Sequence, residues 1–320
     1  MSYQKTWEVI VEPENPFPIR DLRVHTAQGE PLKFPLHRVN LNDEILRYWD
    51  RKQIEMVTAR AETFAQALRQ VDTPTIARMQ RQIGGIDQKY RCTAAVLRDQ
   101  DLYLALSVTN YMMFVGTNER AINDQEFRAR LIQAGLEDAA DPNRYFANPL
   151  AMCAVVYGFN RVDDHTSIYV PIALRSDKVA IYPNVHHVFG GIVDVGEQGG
   201  RIDFGERMRT ELREEIGLED REMGDLSFRG IIRQGPSRIP EVISSLPIYV
   251  DQNTLQERWR TKAPAKFEHR NLTLYGIRDI EPFLEEYGAT MVPSGAAALD
   301  SFLRHHSESL GLGEAQPTLQ

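Results

Sequence analysis

The chain has 320 residues, of which 42% are hydrophobic, 26% charged and 9% aromatic, a balance that fits a globular protein and excludes disordered and fibrous classes. Its 37 basic against 45 acidic residues leave a formal charge of -8, which repels a nucleic-acid backbone, and no block of Lys or Arg offsets it, so no nucleic-acid partner is expected. Two cysteines, Cys92 and Cys153, exclude a disulfide framework and read as reduced core thiols, and no signal-like start or membrane-length apolar run occurs; a cytoplasmic protein with no membrane partner is expected.

Trp7 to Val11 reads as a short strand, after which Pro13, Pro16, Pro18 and the Gly29-Glu30-Pro31 turn keep the chain extended. Behind Asn42 as a cap, Ile45, Trp49, Ile54, Val57 and Ala61 recur near helical spacing, which predicts a helix to about Val71. A second helical piece, interrupted by Pro74, runs toward Gln82 and stops at Gly84-Gly85. Cys92 to Val96 and Leu102 to Thr109 then read as strands about a turn at 98–101. A soft boundary near residue 95 separates a mainly helical α+β N-terminal extension, 1–95, from a domain over 96–306, and a polar, loose tail covers 307–320.

Within 96–306, a polar helix is predicted from about Asp124 to Ala134, a buried strand from Leu150 to Phe159, and a strand from Ile168 to Leu174 whose Pro171 suits an edge. Val185 to Val188 leads into the glycine-rich stretch Gly190 to Gly205 and then a charged helix from about Phe204 to Ile216. Phe228 to Ile232, Val242 to Val250 and Leu272 to Ile277 read as strands, and Ile280 to Tyr287 and Ser294 to His305 as helices. Strands around interposed helices predict an α/β fold built on a mixed sheet.

On the charged helix Glu211, Glu214 and Glu215 stand at i, i+3 and i+4, so their carboxylates leave one face a turn apart. Such hard oxygen donors suit Mg²⁺, or Mn²⁺, together with water and phosphate. Met208, Leu212 and Ile216 form the adjacent apolar stripe, and Gly217 is the expected stop.

A Gly-Gly loop followed by this helix resembles the Nudix hydrolase family, whose motif runs Gly, five residues, Glu, seven residues, then Arg-Glu-(aliphatic)-x-Glu-Glu-x-Gly-(aliphatic). Gly191 and Glu197 fit the first half, but residues 198 to 209 make twelve intervening positions, five more than the pattern. Thr210 stands where the family has Arg, so orientation of the metal-binding Glu is either absent or supplied by Arg209 or Arg213. The alternative frame on Gly200 and Glu206 leaves four positions too few, and lengthening a loop is the cheaper departure. A lengthened motif without that Arg is similar to the Nudix-type uridine diphosphate glucose pyrophosphatases. The stretch Leu104 to Asn118 looks like that branch's Leu-x-Leu-x-x-Thr-x-Tyr-x-x-Phe-x-Gly-Thr-Asn segment, as do Tyr145 to Leu150 and, more distantly, Pro293 to Ala297.

The resemblance spans roughly residues 100 to 300 and implies a Nudix α/β/α sandwich that hydrolyses UDP-glucose or UDP-galactose to UMP and a sugar 1-phosphate. Metal would be held by Glu211, Glu214, Glu215 and Glu197, with Glu215 the principal ligand and Glu268 the base. Gly190 and Gly191 let backbone approach metal or phosphate. Thr109, Tyr111, Phe114 and Asn118 are the expected substrate contacts, since aromatics can stack on a base and an amide can hydrogen-bond it; the same spacing also suits core aromatics and a turn at 116–118. The N-terminal extension would cover the site or form a homodimer interface. The alternatives are a Nudix hydrolase of another nucleoside diphosphate derivative, such as ADP-ribose or a dinucleotide, and a non-catalytic ligand-binding regulator on the same fold.

His186 and His187 face opposite sides of a strand and read as structural. Arg233, Arg238 and Arg270 are candidates to reach phosphate, with surface solvation the competing role. No P-loop and no Gly-x-Ser-x-Gly turn occurs, so phosphate binding of that type and acyl chemistry have no candidate.

Overall fold

The structure, a computed structural model of the chain, describes residues 3–33, 39–70, 80, 84–162, 165–179, 181–195 and 202–306. β1 (Trp7–Val11), the two-residue β2 (Phe17–Pro18) and β3 (Arg23–Gln28) precede α1 (Val39–Gln70). Leu41, Ile45, Trp49 and Met56 are buried on α1 among the described side chains; at about 100° per residue they share one narrow stripe. Ile54 lies on the opposite side and Val57 off the stripe, which is why both expected core positions are exposed, at 69% and 46%. The piece expected to run from Val71 toward Gln82 lies, apart from Gln80, outside the described residues, as does the expected tail over 307–320.

β4 (Gln88–Arg98) and β5 (Asp101–Asn110) form a hairpin with Asp99 at φ 54 in its tight turn, and β3 joins β5 in parallel to make a three-stranded sheet. The segment 111–123, read in part as a turn, is helical: α2 (Tyr111–Phe114), a π-helical turn (Val115–Glu119) and α3 (Arg120–Asn123). Asn110 caps it, accepting from the Met113 N–H at 2.9 Å. α4 (Gln125–Ala139) is capped likewise by Asp124, which accepts from the Phe127 N–H at 2.9 Å.

β6 (Ala151–Val162), β7 (His165–Arg175), β8 (His186–His187) and β9 (Phe189–Ile192) lead to α5 (Phe204–Ile216). There follow β10 (Ser227–Gln234), β11 (Pro240–Ile248), α6 (Gln252–Thr261), β12 (His269–Gly276), α7 (Ile280–Tyr287) and α8 (Pro293–His306). The large sheet runs β1-β10-β11-β6-β7-β12, with β2 on β10, β8 on β7 and β9 on β6. β6 and β11 pair in parallel and the other pairs are antiparallel, giving the expected mixed α/β sheet. Pro171 lies inside β7, where the pairing with β6 has ended at Tyr169 and that with β8 has not begun at Ala173, so on that side no ladder partner awaits its missing N–H.

β6 is apolar at nearly every position because both of its faces are covered. Met152, Ala154 and Val156 pack in one core with Met208, Leu212 and Ile216 of α5. Cys153 and Val155 pack in another with Ile280, Phe283 and Leu284 of α7 and Leu299 and Phe302 of α8. Both cysteines are free and buried.

Residue 95, where the sequence places a boundary, falls inside β4, whose pairing with β5 continues across it (Ala95 with Leu104, Val96 with Tyr103). β1 and β2 are strands of the large sheet. The change of pattern after Tyr90 marks entry into a hairpin. No helix among the described residues is long and apolar enough to cross a membrane.

Candidate active site

α5 begins at Asp203, whose carboxylate accepts the Glu206 N–H at 3.0 Å, and ends at Gly217, at φ 71. With Met208, Leu212 and Ile216 seated on the sheet, Glu211 and Glu215 are buried on the flank that faces β9. There the two glycines are required by space: a Cβ on Gly190 would meet the Met152 carbonyl at 2.1 Å, and one on Gly191 would meet Glu211 Oε1 at 2.6 Å. The Gly190 N–H donates to the Glu215 carboxylate.

Burial, followed by the charge of Glu268, pushes the Glu215 carboxyl well above the usual range. Burial raises Glu211 to about 8 against the opposing pull of Arg207. His269 Nε2 is 3.4 Å from Glu215 Oε2, but neither atom has a hydrogen-bond partner, and burial lowers the imidazole to about 4 so that it is neutral at pH 7. Arg207 Nη2 lies 2.6 Å from Glu211 Oε1 and 3.3 Å from Asp194 Oδ2. Lys89 Nζ bridges Asp194 and Asp87, the latter at 2.7 Å.

Of these groups Gly190, Gly191, Glu211, Glu268, Arg207, Asp194 and Lys89 border a cavity of about 160 Å³, whereas Glu215, His269 and Asp87 lie behind its lining. Tyr111, Phe114 and Ile181 contribute apolar surface to its lining. Lys89, Arg175 and Arg207 contribute cations beside the acids Asp194, Glu211, Glu241 and Glu268. The Arg175 side chain makes no ion pair among the described residues, and its Nε is buried without a hydrogen-bond partner. A lining part apolar and part doubly charged can hold an amphiphilic, phosphorylated molecule.

The donors suit a hard divalent cation: Glu211 and Glu215 supply carboxylate oxygens, Glu215 Oε2 is buried and unpartnered, and the bare backbone of Gly190-Gly191 leaves room. Among the described residues no three His, Cys, Asp or Glu side chains already form a group that could hold a metal ion. Arg207 is the cation against Glu211.

Of the residues expected from sequence, Glu211, Glu268, Tyr111, Phe114, Gly190 and Gly191 line the cavity. Glu215 lies one helical turn from Glu211, and Glu214 is half-buried between them on α5. Glu197 lies outside the described residues. Thr109 and Asn118 are buried away from the cavity. Asn118 Nδ2 donates to the Ser237 carbonyl at 2.7 Å, and its Oδ1 accepts from the Asn148 N–H at 3.1 Å. Thr117 Oγ1 accepts from the Ala147 N–H at 3.0 Å, so the Gly-Thr-Asn segment grips the segment Tyr145 to Leu150.

Arg209 and Arg213, expected to stand in for the missing Arg at 210, point elsewhere. Arg209 donates to the carbonyls of Asp220, Met223 and Gly224, and Arg213 pairs with Glu206 and Asp220. Arg207, four residues before Glu211 and on its side of the helix, pairs with it instead, and i,i+4 spacing was the available signal. Arg233 donates to the Arg238 carbonyl, and Arg238 and Arg270 donate to Asn143 and Asn184; none lines the cavity. Arg175 and Lys89 do, brought there from β7 and β4 by tertiary pairing that no local spacing announces. His186 packs on Phe283 and Tyr287 as a structural residue, whereas His187 lines the cavity.

No protein-family model matches the chain, and no curated protein matches it. Similar solved structures include a mutT/nudix family protein from Listeria innocua, 15% identical over 52% of this chain and 98% of that one, with a TM-score of 0.36. The Nudix domain of Shewanella oneidensis NrtR, solved with ADP ribose, is 11% identical over 54% of this chain and 97% of that one, with a TM-score of 0.32. A MutT/nudix family protein from Enterococcus faecalis is 14% identical over 49% and 54%, with a TM-score of 0.28. Likeness at this level assigns neither family nor activity.

Proposed function

We propose that the chain is a Nudix-type hydrolase, dependent on Mg²⁺ or Mn²⁺, that cleaves the diphosphate of a nucleotide sugar, UDP-glucose or UDP-galactose, to UMP and a sugar 1-phosphate. The observation that carries the reading is the pair Glu211 and Glu215, buried one helical turn apart beside Gly190-Gly191, with Glu215 Oε2 unpartnered. Glu211 has Arg207 as its cation but Glu215 has none, and a buried carboxylate left so is costly unless a cation joins it. The resemblance of Leu104 to Asn118 and Tyr145 to Leu150 to the uridine diphosphate glucose branch supports the choice of substrate.

Glu211 and Glu215 would hold the divalent ion, with Glu214 on the same helix and Asp194 and Glu268 in the cavity lining as further carboxylates. Bound there, it supplies charge neutralisation for the diphosphate and a more acidic water. Glu268, which lines the cavity and acts on Glu215 by charge, would accept the proton of that water. Arg175 and Lys89 meet phosphate oxygens, and Tyr111 and Phe114 offer the apolar surface against which a base can lie.

Incubation of the purified full chain with Mg²⁺ and UDP-glucose is expected to release UMP and glucose 1-phosphate, with no release in EDTA. If UDP-glucose, UDP-galactose, ADP-ribose and dinucleotides all stay intact, the catalytic reading is wrong. Release of AMP from ADP-ribose with UDP-glucose untouched keeps the chemistry and overturns the substrate.

A further inference from the structure

One nitrogen of Arg207 sits in a nest of oxygens. Nη2 lies 2.6 Å from Glu211 Oε1, 3.3 Å from Asp194 Oδ2 and 3.2 Å from the Ile192 carbonyl oxygen. Two carboxylates and a backbone carbonyl converging on a single positive atom are the donors a hard cation takes. One turn along the helix, Glu215 is 2% exposed and its Oε2 has no partner. The nest therefore holds a cation supplied by the chain itself, next to a buried carboxylate that has none.

Glu211 is 7% exposed, and Arg207 is the cation paired with it. A buried anion is strongly unfavourable without a partner, but two cations packed against one carboxylate oxygen repel at close range. The nest at Glu211 Oε1, Asp194 Oδ2 and the Ile192 carbonyl thus admits Arg207 or a metal, not both. Arg207 can yield: its side chain is 26% exposed, it borders the cavity, and it keeps Asp194 as a second anion when it leaves Glu211.

We infer that Arg207 is a resident counter-ion that a divalent metal displaces from Glu211, so that the metal-free site is closed by an arginine and opened by the metal. This rests on the hydrolase reading of the site. The free energy of eviction is then subtracted from metal binding by the free enzyme.

The test is structural and thermodynamic. Crystals of the full chain soaked in Mn²⁺ without substrate should show anomalous density bonded to Glu211, with Arg207 Nη2 withdrawn from that carboxylate. Calorimetric titration with Mg²⁺ should show the Arg207→Met variant binding at least tenfold tighter than the parent chain. Metal bound with the Arg207–Glu211 contact intact, or equal or weaker affinity in the folded variant, overturns the inference while leaving the hydrolase reading in place. No metal bound to the parent chain in either experiment, together with no turnover, overturns both. The crystal result stands on the parent chain alone should the variant fail to fold.

Discussion

Glu215 is 2% exposed, and its Oε2 has no hydrogen-bond partner. Glutamine in its place has the same shape without the charge, so Glu215→Gln is expected to fold, to melt at or above the parent temperature without metal, and to lose turnover by several orders of magnitude. Near-normal kcat with Mg²⁺ would remove Glu215 from the mechanism. Glu211 makes a second prediction, about pH. Its folded value of about 8 against an ordinary 4.5 means that the native protein holds more protons than the unfolded chain between those limits, so stability falls as pH rises through them. His269, lowered to about 4 from 6.5, acts in the opposite sense below 6.5. From pH 6.5 to 8, at about 1.4 kcal/mol per unit, Glu211 should cost the metal-free chain about 2 kcal/mol, with Glu215, also raised by burial, acting in the same sense. Chemical denaturation in EDTA at both pH values checks this; Glu211→Gln should lessen the loss by about that amount, and an undiminished loss in that variant would reassign it to another group.

At the scale of elements, legibility followed locality. α5 could be read because its signals are close in sequence: Asp203 before it, Gly217 after it, Met208, Leu212 and Ile216 on one side and the glutamates on the next. α6 was not foreseen, since Leu255 is its single buried residue and supplies no period. The helical run over 111–123 was obscured for the opposite reason: Tyr-Met-Met-Phe-Val is apolar on all sides, and a π-helical turn breaks whatever period remained. Within that run Asn118 ties Ser237 to Asn148 by fully buried hydrogen bonds. Asn118→Ala leaves those partners unpaired and should cost about 2 to 4 kcal/mol, lowering the melting temperature with KM for the nucleotide unchanged. A raised KM at parental stability would restore Asn118 to substrate recognition. The cations of the site were illegible for a related reason. Lys89 and Arg175 reach it only when β4 and β7 are in place, and no spacing between positions 89, 175 and 207 encodes that meeting.

Across the whole molecule, the N-terminal residues are built into the structure that carries the site. β1 borders β10 from Trp7 opposite Gln234 to Val11 opposite Ile231, and its neighbours Lys5 and Glu12 pair with Asp300 and Arg304 of α8 at 3.2 and 2.7 Å. β4 is stitched to the strands beside the glutamates: the Tyr90 N–H donates to the Val193 carbonyl at 3.2 Å, and the Leu150 N–H to the Tyr90 carbonyl at 2.7 Å. Arg91, 1% exposed, donates to the carbonyls of Glu30 and Arg144 at 2.6 and 2.9 Å, joining sequence on both sides of residue 95. A fragment of residues 96–306 would lose β1, most of β4, Lys89 and Arg91, leaving β10 with an open edge and the Arg144 and Val193 carbonyls without these donors. Such a fragment is expected to show no cooperative thermal transition by circular dichroism and no diphosphatase activity, whereas the full chain melts as one unit. A cooperative melt within a few degrees of the full chain would make the N-terminal residues a separable attachment, and the site would then have to work without Lys89.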